Sequence, residues 1–325
     1  MTDTVPQLAS FRRFQREKLG IDADLSDAFL RFHLPLAERI LETHRPGRML
    51  TVGVSGSQAS GKSTLAKILQ FVLEERGLRV VPMSIDDIYL PWTQRRRLQE
   101  QEPDNPYYQV SRGNPGTHDV ALGAATIAHL ATADEAAVTP IPAFDKSRHQ
   151  GKGDPLPADQ WPTVRGRPDV FILEGWCVGM SRLEDEELAR LKQNVPEALA
   201  FERERDPDGH WGRIINDRLA GYESLFGLID FLVLLRVPSL AKIVEWRIKQ
   251  ERSLRAQKGE GMSDAQVVEF IRPYMLLTGV HGLQVLGDRR CEAVDAIIEL
   301  GDDQQPTRWV EGGRPTGRRA SLPDA

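Results

Sequence analysis

The stretch MLTVGVSGSQASGKST, residues 49–64, decides the fold of this chain. An apolar run leads into GSQASGKST, in which two glycines five positions apart and the Lys-Ser pair after them match the pattern G-x-x-x-x-G-K-[ST]. In this pattern backbone N–H groups surround phosphates, the lysine reaches the β- and γ-phosphate oxygens, and the hydroxyl binds Mg²⁺. We therefore predict a nucleotide phosphate site formed by Gly56, Ser57, Gln58, Ala59, Ser60, Gly61, Lys62, Ser63 and Thr64.

The residues on either side of this loop have the pattern of a strand followed by a helix. Apolar residues recur at three- and four-residue spacing over 61–75, at Leu65, Ile68, Leu69, Val72 and Leu73. This spacing predicts an amphipathic helix with one buried stripe. Such a context favours a phosphate loop over a ligand-free Gly/Ser turn, the alternative that the pattern alone leaves open.

Short β-rich runs occur at intervals along the chain. They cover 49–54, 79–85, 137–141, 169–173 and 229–236, with helical patterns or long loops between them. The runs are nearly all apolar, as expected when helices cover both faces of a parallel sheet. The predicted fold is α/β, of the P-loop NTPase type, with a doubly wound, mostly parallel sheet and helices on both faces.

The chain is expected to have three parts. Amphipathic helical patterns at 7–19 and 24–45 predict an N-terminal helical extension over 1–45. The P-loop domain is expected to cover 46–300. The remaining residues, 301–325, are rich in Gly, Pro and Arg and are predicted to be a poorly ordered tail. The basic run QRRRLQE at 94–100 is interpreted as solvated surface.

Composition is that of an ordinary globular protein. The 325 residues are 40% apolar and 27% charged, with a net charge of −5 and scattered basic residues, so a nucleic-acid partner is not expected. The two cysteines, Cys177 and Cys291, lie far apart, which favours a reducing cytoplasm. The N-terminus lacks the apolar region of a signal peptide, and no run is long enough to span a membrane. The oligomeric state stays open.

Acidic residues follow two of the predicted strands. Glu174 closes the strand in DVFILEGW, where it can anchor Mg²⁺ beside Ser63, although a solvent-facing glutamate also fits. Asp86 and Asp87 follow the strand that ends in SIDDIYL. The carboxyl ends of parallel strands border the ligand crevice, so one of them can face the γ-phosphate, while either can instead cap the next turn.

Several blocks together identify a family resemblance. The phosphate loop, DDIY after the second strand and EG after a later one resemble the phosphoribulokinase, uridine kinase and pantothenate kinase group of P-loop kinases. Three further blocks narrow this resemblance to the plant and fungal D-glycerate 3-kinase branch, namely RGNPGTHD (112–119), PAFDKSRHQGKGD (142–154) and ILEGWCVGM (172–180). The resemblance implies transfer of phosphate from ATP, with Mg²⁺, to the 3-hydroxyl of D-glycerate, and points to Asp86 as the base.

The blocks RGNPGTHD and PAFDKSRHQGKGD, together with Asp86, form the candidate acceptor site. A small carboxylate-bearing acceptor needs cations and hydrogen-bond partners, and both kinds are present among Asp86, Arg112, His118, Asp119, Lys146 and Arg148. Asp119 can alternatively cap the helix that follows it, and His118 can be purely structural. The family usually reads G-D-R where this chain has Gly-Asp-Pro155, so Arg148 or Lys146 is the candidate replacement for the missing charge.

The resemblance also implies a helical lid at about 239–262. Its basic half is expected to protrude and to bring Arg252 and Arg255 to the transferring phosphoryl group, although such runs are often only solvated. Together with Lys62 and Asp86 these are the predicted catalytic residues. A nucleoside, pantothenate or sugar phosphate remains a possible acceptor. A GTP-dependent switch or metallochaperone is disfavoured, because no N-K-x-D or D-x-x-G element lies in a suitable place.

Overall fold

The computed structural model describes residues 4–21, 23–109, 112–259, 261–288 and 290–314. The α-helices of this part are α1 (Thr4–Phe14), α2 (Ser26–Ala28), α3 (Leu34–Thr43), α4 (Lys62–Glu75), α5 (Trp92–Gln101), α6 (Val120–Thr132), α7 (Arg148–Gly151), α8 (Asp185–Lys192), α9 (Ala200–Arg205), α10 (His210–Arg218), α11 (Glu223–Phe226), α12 (Leu240–Lys258), α13 (Asp264–Ile271) and α14 (Met275–Leu277). The strands are β1 (Leu50–Gly56), β2 (Val80–Ser84), β3 (Val138–Pro140), β4 (Phe144–Asp145), β5 (Asp154–Pro155), β6 (Thr163–Arg165), β7 (Val170–Gly175), β8 (Phe231–Arg236), β9 (Ala296–Leu300) and β10 (Pro306–Glu311).

The central sheet confirms the predicted fold class. Its strand order is β10-β9-β8-β1-β7-β2, and each neighbouring pair is parallel except β9 and β10. The inner strands β1 and β7 are buried along their whole length. Burial of both faces is the condition under which strands are nearly all apolar, and it explains the runs seen in the sequence.

The register of the parallel strands brings three chain segments to one edge of the sheet. Val54 of β1 and Ser84 of β2 both lie opposite Glu174 of β7. The chain leaves all three strands at the same side, because parallel strands share their carboxyl edge. Ligands of open α/β sheets bind in the crevice at this edge. The phosphate loop, the Asp86–Asp87 pair and Glu174 are therefore neighbours.

The N-terminal helices pack against the sheet domain. Phe11 of α1 stacks on Phe29 with ring centroids 3.9 Å apart, and Phe14 stacks on Phe71 of α4 at 4.4 Å. Since α4 begins at the phosphate loop, the predicted helical extension supports the helix that carries the site. Burial of large aromatic side chains of this kind contributes strongly to core stability.

Two segments differ from the prediction. Strand β3 is present, but it pairs with β6 in a separate antiparallel ribbon and does not enter the central sheet. The predicted poorly ordered tail is wrong for 306–311, because β10 pairs antiparallel with β9 and Arg308 forms an ion pair with Glu299. Thr307, Trp309 and Val310 favour a strand within a stretch that is otherwise rich in Gly, Pro and Arg, and cross-strand partners stabilise it. Residues 315–325 lie outside the described residues.

Candidate active site

The phosphate loop closes at the start of α4, as predicted. Gly61, the residue before the helix, has φ 91°, a left-handed conformation that glycine adopts without steric cost. Lys62 Nζ donates to the Ser57 carbonyl oxygen at 3.0 Å, so its side chain folds back along the loop. The free N–H groups of the first turn of α4 and the helix dipole suit this end for phosphate.

Ser63 and Glu174 lie side by side, as their predicted role in metal binding requires. Ser63 Oγ donates to Glu174 Oε1 at 2.8 Å, and Glu174 is 8% exposed, so this glutamate does not face solvent. In the described residues no group of three or more His, Cys, Asp or Glu side chains could hold a metal. Mg²⁺ usually takes one or two protein oxygens and completes its shell with phosphates and water, so the Ser63–Glu174 pair fits that ion.

The two aspartates after β2 have different partners. Asp86 accepts a hydrogen bond from Tyr89 Oη at 2.8 Å on one carboxylate oxygen and from Lys146 Nζ at 2.5 Å on the other. Asp87 accepts the backbone N–H of Ser84 at 3.0 Å in a capping box. Asp87 therefore caps the turn Ile85–Ile88, and Asp86 faces Lys146, one of the residues predicted to bind the acceptor.

The surroundings also separate the pKa values of these aspartates. Burial by itself would raise the pKa of Asp86, but the charge of Lys146 and the hydrogen bonds from Lys146 and Tyr89 lower it overall. Burial raises the pKa of Asp87 to about 6, and the like charges of Asp86 and Glu174 act in the same direction against the Ser84 hydrogen bond. Asp86 is consequently ionised at neutral pH and can accept a proton.

A short hairpin carries Lys146. Strands β4 and β5 pair antiparallel, with Phe144 opposite Pro155 and Asp145 opposite Asp154. Gly153 has φ 72°, and a Cβ at this position would lie 2.3 Å from the Phe144 ring. Only glycine fits there, because both the backbone conformation and the close aromatic contact exclude a side chain. The hairpin presents Lys146 to Asp86 from outside the central sheet.

The burial of Arg95 shows that the prediction of solvated surface for 94–100 is wrong at this residue. This side chain is 1% exposed, and its guanidinium donates to the carbonyl oxygens of Leu90 at 2.8 Å, Lys152 at 2.9 Å and Gly153 at 2.5 Å. It also lies 5.4 Å from the centre of the Phe144 ring. A planar guanidinium can satisfy several carbonyls at once, so Arg95 fastens the hairpin to the chain after Asp86.

His118 is buried beside Asp86, with one ring nitrogen next to a tyrosine hydroxyl. Its Nδ1 lies 2.6 Å from Tyr222 Oη, which also accepts the N–H of Gly116 at 3.1 Å. The tyrosine hydroxyl can donate its hydrogen to Nδ1, and in that tautomer the imidazole proton is on Nε2. Nε2 has no partner among the described residues. Burial lowers the pKa of His118 to about 4, so it is a neutral N–H donor.

The other predicted acceptor residues serve the loops around this cluster. Arg112 Nη1 donates to the Gly151 carbonyl oxygen at 2.7 Å. Asp119 accepts the Leu122 N–H at 3.0 Å and caps α6, as one of its two interpretations expects. Arg148 Nη1 donates to the Pro155 carbonyl oxygen at 3.2 Å. The Arg148 guanidinium thus lies beside Pro155, the position at which the family usually has arginine.

The lid differs partly from the prediction of a protruding helix. The first half of α12 is anchored by Leu240, Ile243 and Trp246, which are all buried. In the second half, Arg252 and Arg255 both pair with Asp264 of α13, with Arg255 Nη2 3.1 Å from the carboxylate. Within the described chain their ion-pair partner is therefore Asp264, and their predicted action on a phosphoryl group stays a prediction.

Comparison with known proteins places the chain among kinases. It is 36% identical over 236 residues to the uncharacterized kinase mug58 of Schizosaccharomyces pombe, covering 70% of this chain and 79% of that one. It is 28% identical over 228 residues to the chloroplastic D-glycerate 3-kinase of Arabidopsis thaliana, covering 70% of this chain but only 46% of that longer relative. No protein-family model matches the chain.

Solved structures agree with this placement. The D-glycerate 3-kinase from Cryptococcus neoformans superposes with a TM-score of 0.73 at 27% sequence identity, over 86% of this chain and 99% of that one. In the described residues, no helix is long and apolar enough to cross a membrane.

Proposed function

The chain belongs to the family of P-loop kinases that includes D-glycerate 3-kinase, and from that premise we propose that it transfers the γ-phosphate of ATP to the 3-hydroxyl of D-glycerate. The products are 3-phosphoglycerate and ADP. The observation that carries the proposal is the pair formed by Asp86 and Lys146 at the carboxyl edge of the sheet. It supplies a proton acceptor and a cation at one point, after a strand that lies two positions from β1, the strand that leads into the phosphate loop.

The chemistry around this pair suits a small anionic acceptor. Lys146 is half exposed and can exchange the Asp86 carboxylate for a carboxylate of the acceptor. Arg112 and the N–H of His118 add donors of a kind that carboxylate and hydroxyl oxygens accept. The rings of Tyr89 and Phe144 pack edge to face beside Asp86, with centroids 5.2 Å apart, and add apolar surface next to the polar groups. These features favour a short hydroxy acid over a nucleoside.

In the proposed reaction the acceptor hydroxyl oxygen forms a bond to the γ-phosphorus, and the bond to the bridging oxygen of ADP breaks. The hydroxyl proton goes to Asp86. When the acceptor draws Lys146 away, the attraction that lowers the pKa of Asp86 weakens while burial still raises it, so the carboxylate becomes a better base. Lys62 balances charge on the phosphates.

Ser63 and Glu174 would hold Mg²⁺, which neutralises phosphate charge when bound. The hydroxyl and the carboxylate lie 2.8 Å apart at the start of α4, beside the phosphate loop. Removal of divalent cations with a chelator should abolish turnover, and addition of Mg²⁺ should restore it.

An acceptor panel tests the proposal. Purified protein is incubated with ATP and Mg²⁺ together with D-glycerate, L-glycerate, uridine, pantothenate or ribulose 5-phosphate, and ADP release is followed. Phosphorus NMR then identifies the phosphorylated oxygen. We expect D-glycerate to give the highest kcat/KM, with product at the 3-position. Higher kcat/KM with another acceptor, or GTP hydrolysis that no acceptor accelerates, would contradict the proposal.

A further inference from the structure

Two residues with rare backbone conformations meet at the phosphate loop. Ala59 has φ 58° and Gln304 has φ 68°, and both are in the left-handed region that residues other than glycine seldom adopt. Gln304 Nε2 donates to the Ala59 carbonyl oxygen at 2.9 Å. A left-handed conformation is strained for such residues, so it persists only where surrounding contacts impose it. Here one hydrogen bond joins the two.

The turn that carries Gln304 connects β9 to β10 and is tightly closed. The Gly301 N–H donates to the Gln305 carbonyl oxygen at 2.8 Å, and the Gln304 N–H donates to the Gly301 carbonyl oxygen at 3.0 Å. Asp303 accepts the Gln305 N–H at 3.0 Å. These bonds fix the backbone of 301–305, so the Gln304 side chain leaves the turn in a defined direction.

The same turn is attached to the buried end of the lid helix. Trp246 of α12 donates its indole N–H to the Asp302 carbonyl oxygen at 3.1 Å, and Lys242 Nζ lies 3.4 Å from the Asp302 carboxylate. Trp246 is 2% exposed, so this end of α12 is part of the core. The turn therefore contacts α12 on one side and the phosphate loop on the other.

We propose that Gln304 is a positioning residue that holds the phosphate loop in its nucleotide-binding conformation, and that the turn 301–305 fixes this loop to the base of α12. The inference rests on the proposed function only in that the loop binds a nucleotide. Ala59 lies in the middle of GSQASGKST, and its conformation sets the direction of the N–H groups that follow it. Loss of the Gln304 contact leaves those groups less ordered before the phosphates bind, and ordering them then costs binding free energy.

The variant Gln304→Gly separates positioning from stability. Glycine adopts the left-handed conformation without strain, so the turn keeps its shape and only the side-chain amide is lost. A neutral hydrogen bond contributes about 0.5–1.5 kcal/mol, which corresponds to a rise of about 2- to 12-fold in the Kd for ATP. We expect this rise with an unchanged melting temperature and an unchanged KM for D-glycerate. Gln305→Ala is the matched control, expected to leave all three values unchanged.

A double-mutant cycle with Ala59→Gly tests the link itself. Glycine at 59 removes the strain that Gln304 holds in place, so Gln304→Gly should weaken ATP binding less in this background than in the parent. Trp246→Phe keeps the packing but removes the indole donor to Asp302, and it should raise the Kd for ATP in the same direction by less than Gln304→Gly.

Calorimetric titration with a non-hydrolysable ATP analogue gives the nucleotide affinity without any acceptor. An unchanged affinity in Gln304→Gly, additive effects in the cycle, or a loss of affinity only in proportion to a lower melting temperature would overturn the inference. Failure of the acceptor panel would leave these binding results intact, so the two proposals can fail separately.

Discussion

Replacing Asp86 by asparagine tests the assignment of the proton acceptor. Asparagine keeps the size of the side chain and can still accept the Tyr89 hydrogen bond, but it cannot take a proton. The change also breaks the ion pair with Lys146. In this pair the Asp86 side chain is 30% exposed and the Lys146 side chain is 58% exposed. Ion pairs that are partly open to solvent contribute about 0–1 kcal/mol to stability, so the fold and the affinity for ATP should stay close to wild type.

The expected effect is on the chemical step. A positioned base contributes about 10²–10⁴-fold to rate, and the loose transition state of phosphoryl transfer needs little proton removal, so kcat should fall by about 10²–10³-fold. Asp87→Asn is the matched control. It weakens the cap on Ser84, which costs about 0.5–2 kcal/mol of stability, and should lower kcat less than tenfold.

The assay is ADP release at saturating ATP and D-glycerate, with ATP affinity from calorimetry and stability from thermal unfolding of both variants. Turnover of Asp86→Asn at the wild-type rate would refute the reasoning. So would a larger loss of kcat in Asp87→Asn, because the residue that caps the turn would then be the one in contact with the reaction.

Three further predictions concern the loop, the lid and acid stability. Lys62→Ala should abolish ADP release while the circular dichroism spectrum stays that of the wild type, because Lys62 Nζ contacts a loop carbonyl and not the core. Near-wild-type turnover would exclude the lysine from the mechanism. Arg252→Ala should lower kcat more than it raises the KM for D-glycerate if the arginine leaves Asp264 to meet the transferring phosphoryl; a change in KM alone would make it a ground-state contact. Denaturant unfolding should show lower stability at pH 5 than at pH 7, by up to about 1.4 kcal/mol per pH unit per histidine, and equal stability would contradict the burial argument. Three buried histidines, each with a pKa lowered to about 4, bind protons between about pH 4 and pH 6.5 only when unfolded, namely His33, His118 and His281. Asp87, whose pKa is raised to about 6, binds its proton in the folded state and offsets the contribution of one histidine in this range.

The phosphate loop and its strand were predictable because their signals are local. The pattern around Lys62 and the apolar run before it lie within sixteen consecutive residues, 49–64, and the loop, the strand and α4 are all found. Glu174 was predictable for a similar reason, because it ends a buried strand and precedes a glycine. The parallel register of β1 and β7 then places Glu174 opposite Val54, next to the loop.

Arg95 and Gln304 were not predictable, because their surroundings come from distant segments. Arg95 lies in a run of three arginines, and its neighbours Arg96 and Arg97 are both exposed. Helix α5 turns Arg95 alone toward the hairpin, and no charge pattern shows which of the three will be buried. Gln304 lies in a Gly- and Pro-rich stretch, in the turn before a strand, β10, that pairs with β9.

The pairing of Asp86 with Lys146 likewise depends on contacts far apart in sequence. The two residues are 60 positions apart, and neither belongs to the central sheet: Asp86 lies in the turn after β2, and Lys146 lies in the β4–β5 hairpin. Arg95 binds carbonyl oxygens on both sides, at Leu90 and in the hairpin. One buried guanidinium thereby joins the chain after Asp86 to the hairpin that carries Lys146. Since Lys146 provides an attraction that lowers the pKa of Asp86, we expect the basicity of the proposed proton acceptor to depend on the arginine that joins these two segments.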